Sequence, residues 1–432
     1  MQRRDFIKSS VQAIAGYSFL NVIPSGVWAQ TTDRPTPSNR LTMGFIGIGN
    51  MSLGDMSSFL NDPRVQVLAS CDINESNFNK GRLVAKKKID DFNRNSDCKA
   101  YPDFRELMAR PDIDAVYIGT PDHWHAPIIM EALRRGKDIY GQKPLTHTAE
   151  EGRRVVEGVQ RYRRVFQTGS QQRSSQLFRR AVELVQNGRI GKLESIVIGL
   201  PTGKNPSALP PEKEVCPPGY DWDFYLGPAP YQPYSLDLAS PNWRWNYDLG
   251  GGALMDWVGH HVDIAMWAMD IPDKEIIRFD EIIAEFGAQA NFNTAEKYSF
   301  VCTFKSGVKM TVSSTAKQGI EFIGKEGSVF CCREKMETSR PEITGAIIGP
   351  EEIRLEPCNN HAKNFIDCCF SRKEPIAPAR QAHRSALIGH VATIAMRLGR
   401  STVQWNGETE RFIDDPQADR LLTKEYRGEW FV

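Results

Sequence analysis

The sequence predicts an α/β protein with a doubly wound parallel sheet first and a second α/β domain carrying a largely antiparallel sheet. Two observations carry this. From Leu41 to Ser170, short apolar segments alternate with helical ones, the signature of repeated βαβ units. Beyond Gln171 strands follow one another through glycine turns such as Lys305-Ser306-Gly307, which favours antiparallel pairing. The 432 residues suit two or three domains at about 100 to 200 residues each.

Each element follows in order. LTMGFIGIG is a strand running into glycines, and MSLGDMSSFLND continues with helical spacing. RVQVLASCD is a second strand closed by Asp72; NFNKGRLVAKKK and FRELMAR are helices, and DAVYIGT is a strand. APIIMEALRRG is a helix ended by Gly136, KDIYGQ a strand, AEEGRRVVEGVQRYRR a helix and RVFQTGS the closing strand. SQLFRRAVELVQNG and LESIVIGL give a helix and a strand of the second domain. Residues 201–250, rich in proline, tryptophan and tyrosine, form a long stretch of the kind that usually serves function. IIAEFGA, YSFVCTF, VKMTVSST and EFIGKEGSVFCC are further strands, and HAKNFIDCCFS and ALIGHVATIAMRLGR are late helices. There is no internal repeat. The expected boundaries are 1–30 for a leader, 31–40 for a polar arm, 41–166 for the first domain and 167–432 for the second.

The 54 basic and 53 acidic residues nearly cancel, with no sustained basic block, which argues against a nucleic-acid partner. Arg3 and Arg4, followed by Phe6, Lys8, a modest apolar run and Val27-Trp28-Ala29, resemble a bacterial Tat signal. That predicts an exported, periplasmic protein without a membrane anchor once the leader is removed. The apolar run is shorter than the ~18 residues of a membrane span. The nine cysteines lack the spacing of a metal site, so no metal is expected. Export would permit a disulfide, with the pairing open.

Gly44, Gly47, Gly49, Asn50, Met51 and Ser52 sit where the first strand meets the first helix. Glycines there allow a tight turn and let backbone N–H groups approach a pyrophosphate. Ser52 replaces the third glycine of the usual fingerprint, which should loosen helix–strand packing. Asp72 ends the second strand about 20 residues on, where a carboxylate suits both ribose hydroxyls of NAD and repels the 2′-phosphate of NADP. Thr120, Pro121, Asp122, His123, Trp124 and His125 follow the strand DAVYIG and border the same crevice. His125 begins or caps the next helix, with structural and cofactor-facing roles both open.

Taken together, GIGNMS, the CD closing the second strand, TPDHWH, QKPLT, QTGSQQRS, DLGGGALMDWVGHHVDIAMW, NFIDC and RLGR resemble the Gfo/Idh/MocA oxidoreductases, over nearly the whole chain after Arg40. The resemblance implies an N-terminal Rossmann dinucleotide-binding domain and a C-terminal α/β domain with an open, mostly antiparallel sheet. It implies tightly bound NAD, a sugar or related polyol as substrate, and pairing of subunits into a dimer or tetramer. It places the lysine of a Glu-Lys-Pro motif at Lys143 and an Asp-x-x-x-His pair at Asp256 and His260. Residues i and i+4 share a helix face, so Asp256 could orient His260 as the base for a hydroxyl proton. Arg173, Trp243, Arg244, Tyr247 and His261 are candidates for a sugar pocket, Trp243 and Trp245 equally for core. Asp248 and the glycines at 250–252 resemble a loop that lets backbone approach the ligand. Gln142 stands where the family usually has glutamate, and a neutral amide beside Lys143 is expected to give its ammonium less support.

Free NAD is not expected outside the cytoplasm, so an exported enzyme needs a closed redox cycle. One scheme oxidises a first sugar and reduces a second. Another oxidises a ring carbon transiently so that a glycosidic bond eliminates, as in NAD-dependent glycosidases of this fold. A third reading is a non-catalytic sugar-binding protein on the same scaffold.

Overall fold

The structure, a computed structural model, describes residues 39–91, 98–204, 214–271, 274–287 and 291–430. The leader and all but the last two residues of the polar arm lie outside the described residues. Among the described residues no helix is long and apolar enough to cross a membrane, and all nine cysteines are free thiols.

The first sheet contains β1 (Leu41–Ile46), β2 (Val65–Cys71), β3 (Lys99–Tyr101), β4 (Ala115–Ile118), β5 (Asp138–Gly141) and β6 (Phe166–Thr168). Its order is β3-β2-β1-β4-β5-β6, with every pair parallel. This is the dinucleotide-binding arrangement, with the crevice at the carboxyl ends of the strands. All residues of β4 and β5 are buried, as strands covered on both faces must be. One face packs Phe45, Phe59, Tyr117, Tyr140 and Phe365; the other packs Ile46, Val116, Ile118, Ile139 and Phe166. Gly136 closes its helix at φ +70°, a conformation open to glycine at little cost.

The second sheet contains β7 (Leu193–Gly199), β8 (Ile276–Phe286), β9 (Ala295–Thr303), β10 (Lys309–Ser313), β11 (Gly319–Gly324), β12 (Gly327–Cys331), β13 (Met336–Thr338), β14 (Val403–Asn406) and β15 (Arg411–Phe412). Its order is β13-β12-β11-β7-β10-β9-β8-β14-β15. Only β7 and β10 pair in parallel; the other neighbours are antiparallel. Helices Gln176–Gln186 and Ala379–Arg397 cover one face through a shared apolar core.

Three details differ from the sequence reading. EFIGKEGSVFCC is a hairpin of β11 and β12, with Gly324 opposite Gly327. β6 runs to Thr168, past the expected boundary at 166. Helix His361–Ser371 returns to the first domain, where Phe365, Ile366, Cys368 and Cys369 join its core.

The aromatic stretch beyond residue 214 has its own small core of Trp222, Tyr225, Leu226, Leu238, Leu249 and Phe292. It lies over the first domain. Asn74 bridges to Tyr220, and Tyr225 O accepts from Trp124 Nε1 at 2.8 Å. The C-terminal tail ties it down: Arg427 Nε donates to Ala229 O at 3.0 Å, and Trp430 packs edge-on against Trp124.

Candidate active site

The crevice begins at the β1 turn. Gly47 has φ +78°, and a Cβ there would meet Gly119 C and Thr120 N at 2.7 Å, so only glycine fits. Gly49 caps helix Asn50–Leu60 without a side-chain cap or an acidic residue in the first turn, and a Cβ added to it would meet nothing within 4 Å. Asn50 is exposed, and so is Met51. An open, uncapped helix N-terminus fits a pyrophosphate. Ser52 does not loosen the packing as expected: it is buried against Gly119, whose missing Cβ leaves room for its Oγ.

Asp72 Oδ2 accepts from Ile48 N at 2.8 Å and Oδ1 from Asn74 N at 2.9 Å, so the carboxylate braces the glycine turn. Burial raises its pKa. Oδ1 keeps a lone pair for a ribose hydroxyl, while Oδ2 also faces Asn77 Nδ2 at 3.5 Å. Thr120 Oγ1, buried in the same crevice, has no partner. Beyond Asp72 an open cavity of about 610 Å³ is lined by Ile73, Pro102, Arg105, Tyr220, Phe224 and Trp430. Turn, helix end, carboxylate and cavity fit a dinucleotide.

His123 and His125, read as crevice residues, are clamps. His123 is buried with Nδ1 3.2 Å from Leu249 O and Nε2 3.0 Å from Tyr225 O. His125 starts helix His125–Arg134 and spans Pro144 O at 2.7 Å and Thr120 O at 3.0 Å, joining the loops after β4 and β5. Burial lowers both pKa values to about 4, so at physiological pH each ring is neutral and its single N–H donates to only one of the two carbonyls it faces. Pro121 stands at the N-terminal cap position of the short helical turn Asp122–Trp124.

Lys143 follows β5, and its peptide to Pro144 is cis. Its Nζ donates to Asp256 Oδ1 at 2.7 Å, and Arg244 Nε reaches the same oxygen at 3.2 Å. Burial opposes ionisation of Asp256, but these two cations outweigh it and hold its pKa at about 2. A residue the sequence reading passed over joins them. Asp122 is 5% exposed and accepts from the Gly251 N–H; burial raises its pKa to about 7, against the pull of Arg244 and Lys143. Two carboxylates whose environments drive their pKa values apart are the mark of a site with divided proton roles.

The expected Asp256–His260 pairing is not formed. Helix Gly252–Trp257 passes into a π-helical turn, Val258–Val262, before Asp263–Met269, and a π turn breaks the i, i+4 alignment. His260 is 8% exposed, with Nδ1 lacking a partner. Burial, then Lys143 and Arg333, push its pKa well below the ordinary value. The turn has a second effect. A Cβ on Gly259 would meet Lys143 Cβ at 2.9 Å, so this glycine lets the lysine stem cross the helix.

Several candidates lie outside this group. Arg173 is buried: Nε and a terminal nitrogen bind Asp263 at 2.5 and 3.0 Å, and another faces Ile376 O at 3.3 Å. Its donors are committed inside the protein, so it is no sugar ligand. Tyr247 has Arg397 and Lys424 each 3.8 Å from its ring centroid, so its ring is engaged with cations of the protein itself. His261 is buried against Trp257 and Phe178, its pKa lowered to about 4 by burial. Trp245 packs into two cores. Trp243 is half-buried beneath Arg244, 4.4 Å away, and stays at the site. The glycines at 250–252 approach protein groups, Trp243, Met255 and Thr294, and Asp248 N caps onto Asn246 Oδ1 at 3.0 Å.

Gln142 turns away from Lys143. Its Nε2 donates to Asp55 Oδ2 at 2.6 Å and sits 2.9 Å from Tyr117 Oη, which itself donates to Asp55 at 2.9 Å. The expected partnership of residue 142 with the lysine is not formed: Gln142 bonds Asp55 and Tyr117, and Lys143 bonds Asp256.

The glycine-turned parallel sheet with a lysine, arginine, carboxylates and an imidazole at its second-domain border defines the class, a dinucleotide-binding oxidoreductase. Residues 41–170 match the model described as "Oxidoreductase family, NAD-binding Rossmann fold", and residues 200–432 match "Oxidoreductase family, C-terminal alpha/beta domain". The chain belongs to the Gfo/Idh/MocA oxidoreductase family. It is similar to a "Glycosyl hydrolase family 109 protein" of Shewanella baltica, 27% identical over 178 residues, a match covering 37% of each chain. Its fold is shared with the aldose-aldose oxidoreductase of Caulobacter crescentus complexed with glycerol, at TM-score 0.60, 18% identity, and 84% and 99% coverage. It is shared also with the myo-inositol dehydrogenase of Lactobacillus casei in complex with NAD(H) and myo-inositol, at TM-score 0.55, 20% identity, and 85% and 97% coverage.

Proposed function

We propose that the protein oxidises a secondary hydroxyl of a sugar or related polyol with NAD that stays bound. The observation that carries this is Lys143, Arg244, Asp256 and Asp122 gathered with His260 at the crevice's border. A bound nicotinamide supplies the hydride acceptor. Asp256, ionised at all working pH, holds Lys143 and Arg244 in place. Lys143 donates to the reacting hydroxyl oxygen and favours its negative charge as it develops. His260, kept neutral, accepts from a neighbouring hydroxyl and orients the ring. The O–H proton passes to Asp122, the carboxyl whose pKa near 7 matches that task. Asp72 supports NAD over NADP.

Purified protein is expected to carry NAD, and absorbance at about 340 nm should rise on adding the right sugar. Cofactor that never changes redox state with any sugar would favour the binding-protein reading. The glycosidase-named relatives favour a second reading, glycosidic cleavage through a transient keto-sugar; release of aglycone from a glycoside separates the two. The twin-arginine leader supports export, which cell fractionation tests.

Asp122 sets a pH dependence. As a proton acceptor it must be ionised, so the rate should climb as pH rises through about 7. Asp122→Asn should remove that limb and slow the step by about 10² or more. An unchanged limb in the variant would assign it to another group.

A further inference from the structure

We propose that Arg333, stacked on Trp257 beside His260, forms a subsite for a carboxylate on the substrate, so that the site favours an acidic sugar, a uronic acid or its glycoside. This deepens the reading given above and rests on it for the place of the sugar. Trp257 follows Asp256, with its ring 5.8 Å from His260 and 5.2 Å from His261. Arg333 stands in the turn between β12 and β13, exposed, its guanidinium carbon 4.6 Å from the Trp257 centroid. Its charge reaches both imidazoles and, with Lys143 at His260, opposes their protonation.

Stacking holds a guanidinium by its face and leaves its fork of N–H donors free at the edge. Among the described residues, no carboxylate forms an ion pair with Arg333. Its neighbours in the hairpin are engaged elsewhere. Lys335 and Lys317 share Glu337 at 2.6 and 3.3 Å, and Glu334 feels the arginine's charge but accepts from the Cys332 thiol at 3.1 Å. Lys143 and Arg244 already share Asp256. Arg333 is thus a cation still able to take an anion at this border, and a fixed planar fork matches a carboxylate bidentately. A neutral sugar offers it only hydroxyls.

Calorimetric titration of the purified holoprotein with methyl glucuronide and methyl glucoside tests this without relying on turnover. The acid should bind about tenfold more tightly, and raising the salt should shrink the difference. Arg333→Ala should erase the preference while leaving glucoside affinity and melting temperature unchanged, and Arg333→Lys should restore only part of it. Equal affinities, no binding of either sugar, or a preference that survives Arg333→Ala would overturn the subsite. Failure of the redox reading would show separately, as bound cofactor whose absorbance no sugar changes.

Discussion

Lys143→Met should reduce the rate of bound-cofactor reduction by about 10³ or more, with cofactor retained. Methionine keeps an unbranched stem of similar length, which matters because that stem crosses Gly259 with no room for another carbon. What goes is the ammonium, 2.7 Å from Asp256 at the end of a side chain only 11% exposed. The site loses the donor proposed to face the developing oxyanion. Asp256 loses the stronger of the two cations that hold its pKa down, leaving Arg244 alone to pair with it. Stopped-flow absorbance of the holoprotein mixed with sugar reads the step directly. A rate within tenfold of the wild type would remove Lys143 from the chemistry.

The second large effect falls on stability. Gln142→Glu restores the family's usual residue yet should destabilise this protein by about 2–4 kcal/mol at neutral pH. Gln142 is 7% exposed, and its amide donates to Asp55, whose pKa burial already raises. A glutamate would set two carboxylates at hydrogen-bond distance inside the protein, and like charges so placed cannot both ionise. The sign in pH follows. A carboxyl whose pKa is raised on folding binds its proton more tightly in the folded state, so stability falls as pH rises above the unfolded value. The deficit should therefore shrink as pH is lowered toward 4, and Asp55→Asn should rescue it non-additively. Thermal melts of the two single variants and the double variant across pH check this. A pH-independent loss would point to packing alone.

This pair shows where sequence reasoning stopped. Gln142 adjoins Lys143 in the chain, and adjacency suggested an electrostatic partnership. Successive residues near a strand end project to different sides, so the amide meets Asp55 and Tyr117 while the lysine meets Asp256. Arg173 and Tyr247 misled for a related reason: their partners, Asp263, Arg397 and Lys424, are far away in sequence. Asp122 was quoted within its motif but given no role, since a lone aspartate after a strand shows its burial only once the fold closes over it. The π turn is a register shift in a segment whose composition reads as ordinary helix.

By itself the sequence determined the alternation of strands and helices and the glycine turn with Asp72, and it offered Lys143, Asp256 and His260 as catalytic candidates and Arg244 as a candidate for the sugar pocket. These are local properties: periodicity, backbone freedom and side-chain type. Only the tertiary structure decided who pairs with whom, which carboxyl is ionised, and which aromatic faces remain free. Charge and solvation depend on neighbours brought from distant segments, and burial sets their strength.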